Sequence, residues 1–405
     1  MIKISSQLPK GVLNFAMAMG FEKLSYYAIR SILILYLING ELQLSEEDTS
    51  SIYGIFAASI MLCSLLGALL GDLILGNKQS AIIGSCLQAS SCFLLIIPNQ
   101  YCLYLGLGLL SLGSGLFNSN LKAQFARLFL ANTSLLNWAI MALMIAITLG
   151  SFFAPFISTL FEQTNYKLVF ICAGIFSIVS LLFQLKTNQE TSDLDYTSAI
   201  IRREWKHVGI VILVIFLLTG IDNEMTNITT SKLLDSKQMA NSSFLSLFMD
   251  GGLPILGIIF SVAFFFLCRY YFINLYGLLR IAILFQSLKI ISLLIGQYIS
   301  PNQLVSSLIV SVFSNVHEVI FYPIFFVLII TYFPTKFAAT LLSLSVLIST
   351  FIQGPFEHFF IFNSLTIKTE LFLFLGILIL LQLYFSKVGA KYSEPTLEIE
   401  EYKNA

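Results

Sequence analysis

Charged residues are scarce in this chain of 405 residues: Asp, Glu, Lys and Arg make up 11% of it, whereas 57% is hydrophobic. Soluble domains carry roughly 25% charged residues, so this composition cannot supply a water-exposed surface. Because the mean hydropathy is +0.87, we expect the chain to fold in lipid. The formal net charge of zero offers no electrostatic basis for binding nucleic acid.

Patterns that bind metals or cofactors are also missing. The six cysteines lie in apolar runs without CxxC spacing, and the three histidines are scattered along the chain. These positions predict packing residues, not disulfides or metal ligands. Glycine-rich segments fall inside apolar runs, where they favour close helix packing over phosphate binding. We therefore expect no cofactor, no metal ion and no enzymatic activity.

Long apolar runs dominate the chain instead. A bilayer core needs about 20 apolar residues per helix, and about twelve runs meet this length: 11–38, 51–75, 80–97, 101–121, 134–159, 166–185, 207–230, 243–268, 274–297, 303–332, 336–356 and 370–386. They predict an all-α bundle of twelve helices in two six-helix halves, 1–185 and 207–386. The polar stretch 186–206 is the predicted linker, and 387–405 is a polar, disordered tail.

Basic residues predict the orientation of this bundle. One set of loops, with the N-terminus, the linker and the tail, holds about fourteen Lys and Arg, and the opposite set holds about four. The positive-inside rule then places both termini and the linker in the cytoplasm, in a multi-pass protein of the inner membrane. A six-plus-six chain with a basic linker resembles a major facilitator transporter, whose site lies between the halves. Channels and membrane enzymes of this size are the alternatives.

The first span carries an unusual concentration of polar residues. Glu22, Lys23 and Arg30 lie there within nine residues, beside Tyr26 and Tyr27. Charges inside a span cost roughly 2.5–3.5 kcal/mol each on insertion scales, so each is a functional candidate. Lys23, the two tyrosines and Arg30 share one helix face by spacing, and we expect this face to line a cavity. The alternative is a structural network of ion pairs between helices.

Charges in the second half supply the opposite sign. Asp222 and Glu318 fall well inside spans, so opposite charges of the two halves could meet across a central cavity. Glu224 and Asp250 are either buried or solvated at helix ends. For Lys289 we favour a structural ion pair or snorkelling over a substrate role.

A glycine-rich turn between the second and third spans contains a further candidate. Asp72 lies within Gly67–Lys78, where an acid, glycines and a base surround a tight loop. The carboxylate is expected either to latch neighbouring helix ends as part of a gate or to cap a single helix.

Several of these segments resemble the proton-dependent oligopeptide transporter family. The stretch 22–30 is similar to its first-helix signature ExxERFxYYxxR, and the segment 113–120 to its GxGxxKPN. The other similar segments are 51–76, 150–155, Asp222–Asn223 at the family's helix 7 Glu-Gln, 318–323 at its GELxxxP, and 332–334. Together they cover about 10–355 in the family's order.

The chain departs from this family at sites that carry charge. The first acid of ExxER is Met19, the Arg after the second acid is Lys23, and the helix 4 Lys is Asn118. Four binding-site positions differ as well: Met61, Thr148, Leu218 and Ser345. One acid and one base of the family are thus replaced together, so neither leaves a buried charge without its counter-ion. We therefore interpret the cavity as intact, with a changed set of polar contacts.

The resemblance implies proton-coupled uptake of di- or tripeptides, or of a related small zwitterionic solute, by alternating access. It implies that Lys23 and Arg30 meet the substrate carboxylate, that acids of the second half meet the amine, and that Arg30 and Asp222 form an outer gate. The predicted substrate-binding positions are Lys23, Tyr26, Tyr27, Arg30, Asn118, Asp222 and Glu318.

Two further roles complete the hypothesis. Glu22 and Glu318 are the predicted proton carriers, because a carboxylate in a cavity changes its proton affinity when a nearby cation moves. Since Asn118 cannot pair with Glu318 as the family's Lys does, we hypothesise that Lys122 replaces it in a shifted inner gate; the alternative is that Lys122 only marks the end of its span. His317 is a competing partner of Glu318.

Other functions stay open at this point. The fold is compatible with a transporter of a non-peptide solute, with an uncoupled facilitator, and with a receptor or scaffold that transports nothing. Buried charges argue against the last of these. In each case we expect a monomer whose partners are a small solute, protons and the lipid bilayer.

Overall fold

The computed structural model describes residues 11–129, 136–162, 165–187, 209–222, 225, 253–270, 275–298, 303–333, 335–348 and 367–391. These residues form twelve α-helices, one short 3-10 turn at Thr335–Phe337 and no strand. The first six are α1 (Val12–Asn39), α2 (Glu46–Leu70, extended by a π-helical turn at Gly71–Leu75), α3 (Asn77–Leu95), α4 (Gln100–Arg127), α5 (Leu136–Glu162) and α6 (Tyr166–Leu185). The others are α7 (Gly209–Asp222), α8 (Leu253–Tyr270), α9 (Leu275–Tyr298), α10 (Gln303–Tyr332), α11 (Ala338–Ile348) and α12 (Ile367–Lys391).

The predicted all-α fold is therefore confirmed, with a helix in each predicted span. Within the described part of the chain, six helices are long and apolar enough to cross a membrane, and four shorter segments are apolar. One boundary differs: α12 continues to Lys391, into the stretch predicted as a disordered tail. The two residues that follow Ser386, Lys387 and Val388, include no Gly or Pro that would stop the helix there.

Polar side chains fix where three helices of the first half begin. Ser45 accepts a hydrogen bond from the backbone N–H of Asp48 at the start of α2. Asn99 and Asn165 cap α4 and α6 in the same way. These caps satisfy N–H groups that have no partner within the helix.

Glycines allow the helices of the first half to pack closely. The helix α1 lies against α5 and α6, while α4 lies against α2 and α3. A Cβ built on Gly67 of α2 would be 2.6 Å from the carbonyl carbon of Gly115 in α4, and one on Gly150 of α5 would overlap the backbone of Gly20 in α1. The close contact of α1 with α5 lies one turn before Lys23 and fixes the rotation of α1.

Helix α5 makes one of the contacts between the two halves. Helix α9 packs against α10 and α12, whereas α8 and α10 both contact α5. The end of the bundle with the start of α1, the turn between α2 and α3, and the end of α6 is here called the basic end. There Lys78 donates to the carbonyl oxygen of Thr187 at 2.8 Å, and Asn14 donates to that of Lys186 at 3.2 Å.

Candidate functional site

Glu22 is the centre of a polar network in the first half. Its side chain on α1 is fully buried, and its Oε1 accepts hydrogen bonds from Gln88 of α3 at 3.0 Å and Asn118 of α4 at 3.2 Å. Its Oε2 lies 3.0 Å from the ammonium group of Lys23. All three partners present donor groups to this carboxylate.

Lys23 is held between the acid and an amide. Its Nζ donates to Oδ1 of Asn118 at 2.6 Å, and lies 5.7 Å from the ring centroid of Tyr26. The Nδ2 of Asn118 in turn donates to the hydroxyl and carbonyl oxygens of Ser114. With 14% of its side chain exposed, Lys23 retains access to the space beside α1. The amide of Asn118 is thus part of the network at the position where the resembling family has a Lys.

Arg30 lies two turns further along α1 and is exposed. Its Nε donates to the phenolic oxygen of Tyr53 in α2 at 3.0 Å. Between Lys23 and Arg30, the rings of Tyr26 and Tyr27 form an edge-to-face pair with centroids 5.2 Å apart. The predicted polar and aromatic face of α1 is therefore present, with Tyr26 buried and Tyr27 half-buried.

A second ionic cluster lies in the other half. Lys289 of α9 is fully buried and its Nζ lies 2.7 Å from Oδ1 of Asp222, at the end of α7. Gln286, in the amide orientation that satisfies both groups, donates to the same Oδ1 at 3.1 Å and accepts from the backbone N–H of Asp222 at 3.3 Å. The structural ion pair favoured for Lys289 is therefore observed.

His317 of α10 completes this cluster. Its Nδ1 is 3.7 Å from Oδ1 of Asp222, beyond hydrogen-bond distance, and its ring stacks on Phe321 with centroids 4.9 Å apart. Among the described residues neither ring nitrogen has a hydrogen-bond partner, although the side chain is only 1% exposed. Sequence reasoning treated His317 only as a competitor for Glu318, because nothing in the sequence indicates that α7 and α10 meet here.

The two halves are joined at the basic end. Asp72 accepts hydrogen bonds from the backbone N–H and the hydroxyl of Thr340 at 2.7 and 2.8 Å, so it caps α11 from the opposite half. The hydroxyls of Ser64, Ser119 and Ser343 form a second junction between α2, α4 and α11; Ser343 also donates to the carbonyl oxygen of Ser64 at 2.9 Å. The structure shows that Asp72 caps a helix of the other half, and its role in a gate stays a prediction.

The ion pairs that the described residues form lie within each half: Glu22 pairs with Lys23, and Asp222 pairs with Lys289. A meeting of opposite charges across the cavity stays a prediction. A buried charge needs its counter-ion within a few ångströms, and here both counter-ions come from the same half. Arg30 and Asp222 do not pair in this conformation, so their gate stays a prediction about another state.

Other predicted residues are not tested by the described side chains. Lys122 is half-buried and engaged in contacts, but the side chain of Glu318 lies outside the described part, as do Glu224 and Asp250. The pairing of Lys122 with Glu318 stays a prediction. Sequence reasoning did not identify five further residues of these networks: Gln88, Ser114, Tyr53, Gln286 and Thr340. A polar residue in an apolar helix or turn indicates that its side chain is buried with a partner. The sequence does not indicate which residue that partner is.

An all-α bundle with twelve helices, apolar spans and buried ion pairs defines an integral, multi-pass membrane protein. A family profile described as the Major Facilitator Superfamily matches residues 15–354. The chain belongs to the Major Facilitator Superfamily.

Relatives and solved structures refine this likeness. The chain is 30% identical over 164 residues to dipeptide and tripeptide permease B of Aliivibrio fischeri, and 28% identical over 181 residues to the di-/tripeptide transporter of Lactococcus lactis. These matches cover 40% and 43% of this chain and 33% and 36% of the relatives, so the matched stretch spans about a third of each relative's length. The resemblance to peptide transporters noted from the motifs is confirmed.

The likeness in structure extends over nearly the whole chain. A mutant of the peptide transporter POT superposes with a TM-score of 0.61 at 17% identity, covering 95% of both chains. The human organic anion transporter MFSD10 (TETRAN) superposes with a TM-score of 0.65 at 15% identity, covering 93% of this chain and 100% of that one. At these identities the likeness shows the fold alone.

Proposed function

We propose that this protein is a secondary transporter that takes up di- or tripeptides, or a related small zwitterionic solute, together with protons. The observation that carries the proposal is the presence of one buried ion pair in each half, Glu22–Lys23 and Asp222–Lys289, within membrane-spanning helices. Charges at such depth are costly and are typical of solute and proton pathways. A scaffold gains nothing from burying them.

The contacts between the halves indicate which conformation this is. At the basic end, Asp72 binds Thr340 and Ser343 binds Ser64, so the halves are held together there. Towards the other end, Arg30 is exposed and turned to Tyr53. We infer an outward-facing state in which the basic end is cytoplasmic and closed, with both chain termini on that side.

Proton coupling follows from the arrangement around Glu22. A substrate carboxylate that attracts Lys23 removes the cation from Glu22, and the buried acid then binds a proton more readily. Lys23 is suited to this exchange because it is bound to Glu22 yet remains 14% exposed. Glu22 is therefore one proposed proton carrier, and Glu318 of α10 is the other.

An organic anion is the second candidate for the solute. Both described acids of the site, Glu22 and Asp222, are already bound to a lysine, whereas the described hydrogen bond of Arg30 goes to a neutral phenol. Arg30 is thus a cation that a carboxylate of the solute could bind. Among the described residues of the site, each carboxylate is already paired with a lysine and does not await an amine of the solute. This arrangement favours recognition of the carboxylate, with the amine optional.

Uptake of radiolabelled dialanine into proteoliposomes, with and without an inward proton gradient, tests the proposal. We expect accumulation above equilibrium only with the gradient. Dialanine acetylated at its amine serves as the matched competitor. Strong inhibition of dialanine uptake by this compound favours an organic anion as the solute. Equal uptake of dialanine with and without the proton gradient indicates an uncoupled facilitator. Absence of dialanine uptake contradicts the peptide proposal.

A further inference from the structure

One donor of the network around Glu22 is shielded from the space beside α1. Lys23 is 14% exposed and Asn118 is half-buried, so both border that space. Gln88 of α3 is only 2% exposed, and its Nε2 donates to Oε1 of Glu22 at 3.0 Å. Gln88 is therefore a donor that remains with the carboxylate of Glu22 when Lys23 turns to a solute.

The packing of α3 on α4 fixes the direction of the Gln88 side chain. A Cβ built on Gly84 of α3 would be 2.7 Å from the carbonyl oxygen of Gly113 in α4, and one on Gly113 would be 2.7 Å from that of Gly84. The same Cβ on Gly113 would be only 2.8 Å from Cγ of Gln88. The stem of Gln88 thus lies directly on the backbone of α4, where close packing restricts its rotamers and directs its amide towards α1.

The contact between Lys23 and Glu22 is of a different kind. Oε2 of Glu22 lies 3.0 Å from Nζ of Lys23, yet it accepts no hydrogen bond of good geometry from the described residues. The directed hydrogen bond of Lys23 goes instead to Oδ1 of Asn118 at 2.6 Å. Glu22 thus holds Lys23 as an ion pair, and a carboxylate of a solute competes with Glu22 for the same ammonium group.

We propose that Gln88 is a positioning residue of the solute site, which holds the carboxylate of Glu22 so that Lys23 can move to a carboxylate of the solute. This inference rests on the proposed function, in which the solute carboxylate attracts Lys23. A buried carboxylate needs hydrogen-bond donors, so one that has lost a donor depends more strongly on the cation that remains. Gln88 therefore lowers the cost of releasing Lys23 to the solute.

Loss of this hydrogen bond should weaken solute binding without slowing the transport cycle. Gln88→Met keeps an unbranched side chain of similar length and removes the donor. We expect KM for dialanine exchange to rise about tenfold and kcat to change less than about twofold, the pattern of an interaction that acts on binding alone. Gln124→Met is the matched control, because Gln124 is a buried glutamine that bonds to Gln184 and Thr187 at the basic end. It should lower Tm and leave KM unchanged.

A second background separates positioning from packing. In Glu22→Gln the carboxylate is absent, so Gln88→Met should no longer change KM for exchange, whereas a packing defect would raise KM in both backgrounds. Gln88→Asn, whose amide is too short to reach Glu22, should raise KM as Gln88→Met does, and it carries the comparison if Gln88→Met does not fold, as judged by gel filtration. Equal rises of KM in the two backgrounds, or an unchanged KM when Glu22 is present, would overturn the proposal.

Chemical modification of Lys23 tests the same competition without any solute. A short pulse of acetic anhydride, followed by mass spectrometry, measures the modification of Lys23 relative to Lys167, which pairs with Glu41 at the surface. We expect several-fold slower modification in Gln88→Met than in wild type, and no difference in the Glu22→Gln background. A wild type that does not exchange dialanine contradicts the proposed peptide transport and leaves the modification rates to decide about Gln88. Equal rates in wild type and Gln88→Met would show that Gln88 does not control the release of Lys23.

Discussion

Asp72, in the turn between α2 and α3, caps the first turn of α11 through the backbone N–H of Thr340 at 2.7 Å. The other oxygen of Asp72 accepts from Asn77 at 2.9 Å, and Asn77 also donates to Asn120 of α4. One carboxylate thus connects two helices of the first half with a helix of the second. Its position at a helix N-terminus adds a favourable charge–dipole interaction.

Replacement of Asp72 by alanine should weaken the closed basic end. Loss of a capping carboxylate costs about 0.5–2 kcal/mol, which changes the ratio of closed to open protein roughly 2- to 30-fold. Spin labels at Gln79 on α3 and Lys336 before α11 should show a larger population of long distances. Asp48→Ala, which removes an exposed acid from the first turn of α2, is the control. An unchanged distance distribution in Asp72→Ala would mean that the cap does not hold the halves together.

Close packing of α2 on α4 gives a second test. Gly115→Ala places a Cβ onto the backbone of Cys63, and such overpacking costs typically about 1–3 kcal/mol. Gly108, two turns earlier in α4, has nothing within 4 Å of its Cβ position, so Gly108→Ala should be neutral or slightly stabilising. Thermal unfolding in detergent should show a lower Tm only for Gly115→Ala. Equal Tm values for the two variants would contradict the close contact.

These results indicate which features sequence reasoning can reach. Helical spans follow from local hydropathy, because a bilayer requires apolar runs of fixed length whatever their neighbours are. The partners of buried polar side chains cannot be predicted from local hydropathy, because they depend on how each helix is rotated about its axis. Lys289 pairs with Asp222 because these two positions of α9 and α7 face each other in the fold. Lys23 illustrates the same limit, since adjacent residues on a helix point apart, yet its long side chain bends to Glu22 and Asn118.

Glu22→Gln tests the proton site of the first half. The variant cannot exchange a proton, so gradient-driven accumulation should disappear while exchange of solute continues. Lys23 loses its carboxylate in this variant, but Asn118 remains as an acceptor. Glu47→Gln, an exposed acid in α2, is the control. Full accumulation by Glu22→Gln would remove Glu22 from the mechanism and leave the proton sites of the second half.

The outer gate predicts a pair of damaging substitutions. Arg30→Ala removes the proposed partner of Asp222 in the closed state, and Asp222→Ala removes the carboxylate that pairs with the buried Lys289 in the present one. Each should reduce uptake strongly, Asp222→Ala more so because breaking a buried pair costs about 3–5 kcal/mol. The swap of Arg30 to Asp with Asp222 to Arg should recover little, since it also places two cations together at Lys289. Normal uptake by either alanine variant would mean that the gate does not form.

Tyr53→Phe tests whether the hydrogen bond between Arg30 and Tyr53 stabilises the open state of the same gate. Tyr53 accepts the hydrogen bond of Arg30 at 3.0 Å, and its removal leaves Arg30 free to reach Asp222. Loss of a hydrogen bond to a charged group costs about 1.5–3 kcal/mol, so the closed form should increase about tenfold or more. Labels at Glu47 and Gln303 should report shorter distances than in wild type. An unchanged distribution would indicate that Tyr53 does not hold Arg30 back.

The inner gate around Glu318 is the remaining prediction. Asn118 is committed to Glu22, Lys23 and Ser114, so it is not available to Glu318. An ionised Glu318 inside the bundle needs a cation, and Lys122 lies one turn nearer the basic end on the same helix. A double-mutant cycle on uptake with Lys122→Ala and Glu318→Ala measures the coupling, which should be about 1 kcal/mol or more for a buried pair. Strictly additive effects would exclude the pair. Glu318 would then be expected to remain protonated, because a neutral carboxyl tolerates burial without a cation.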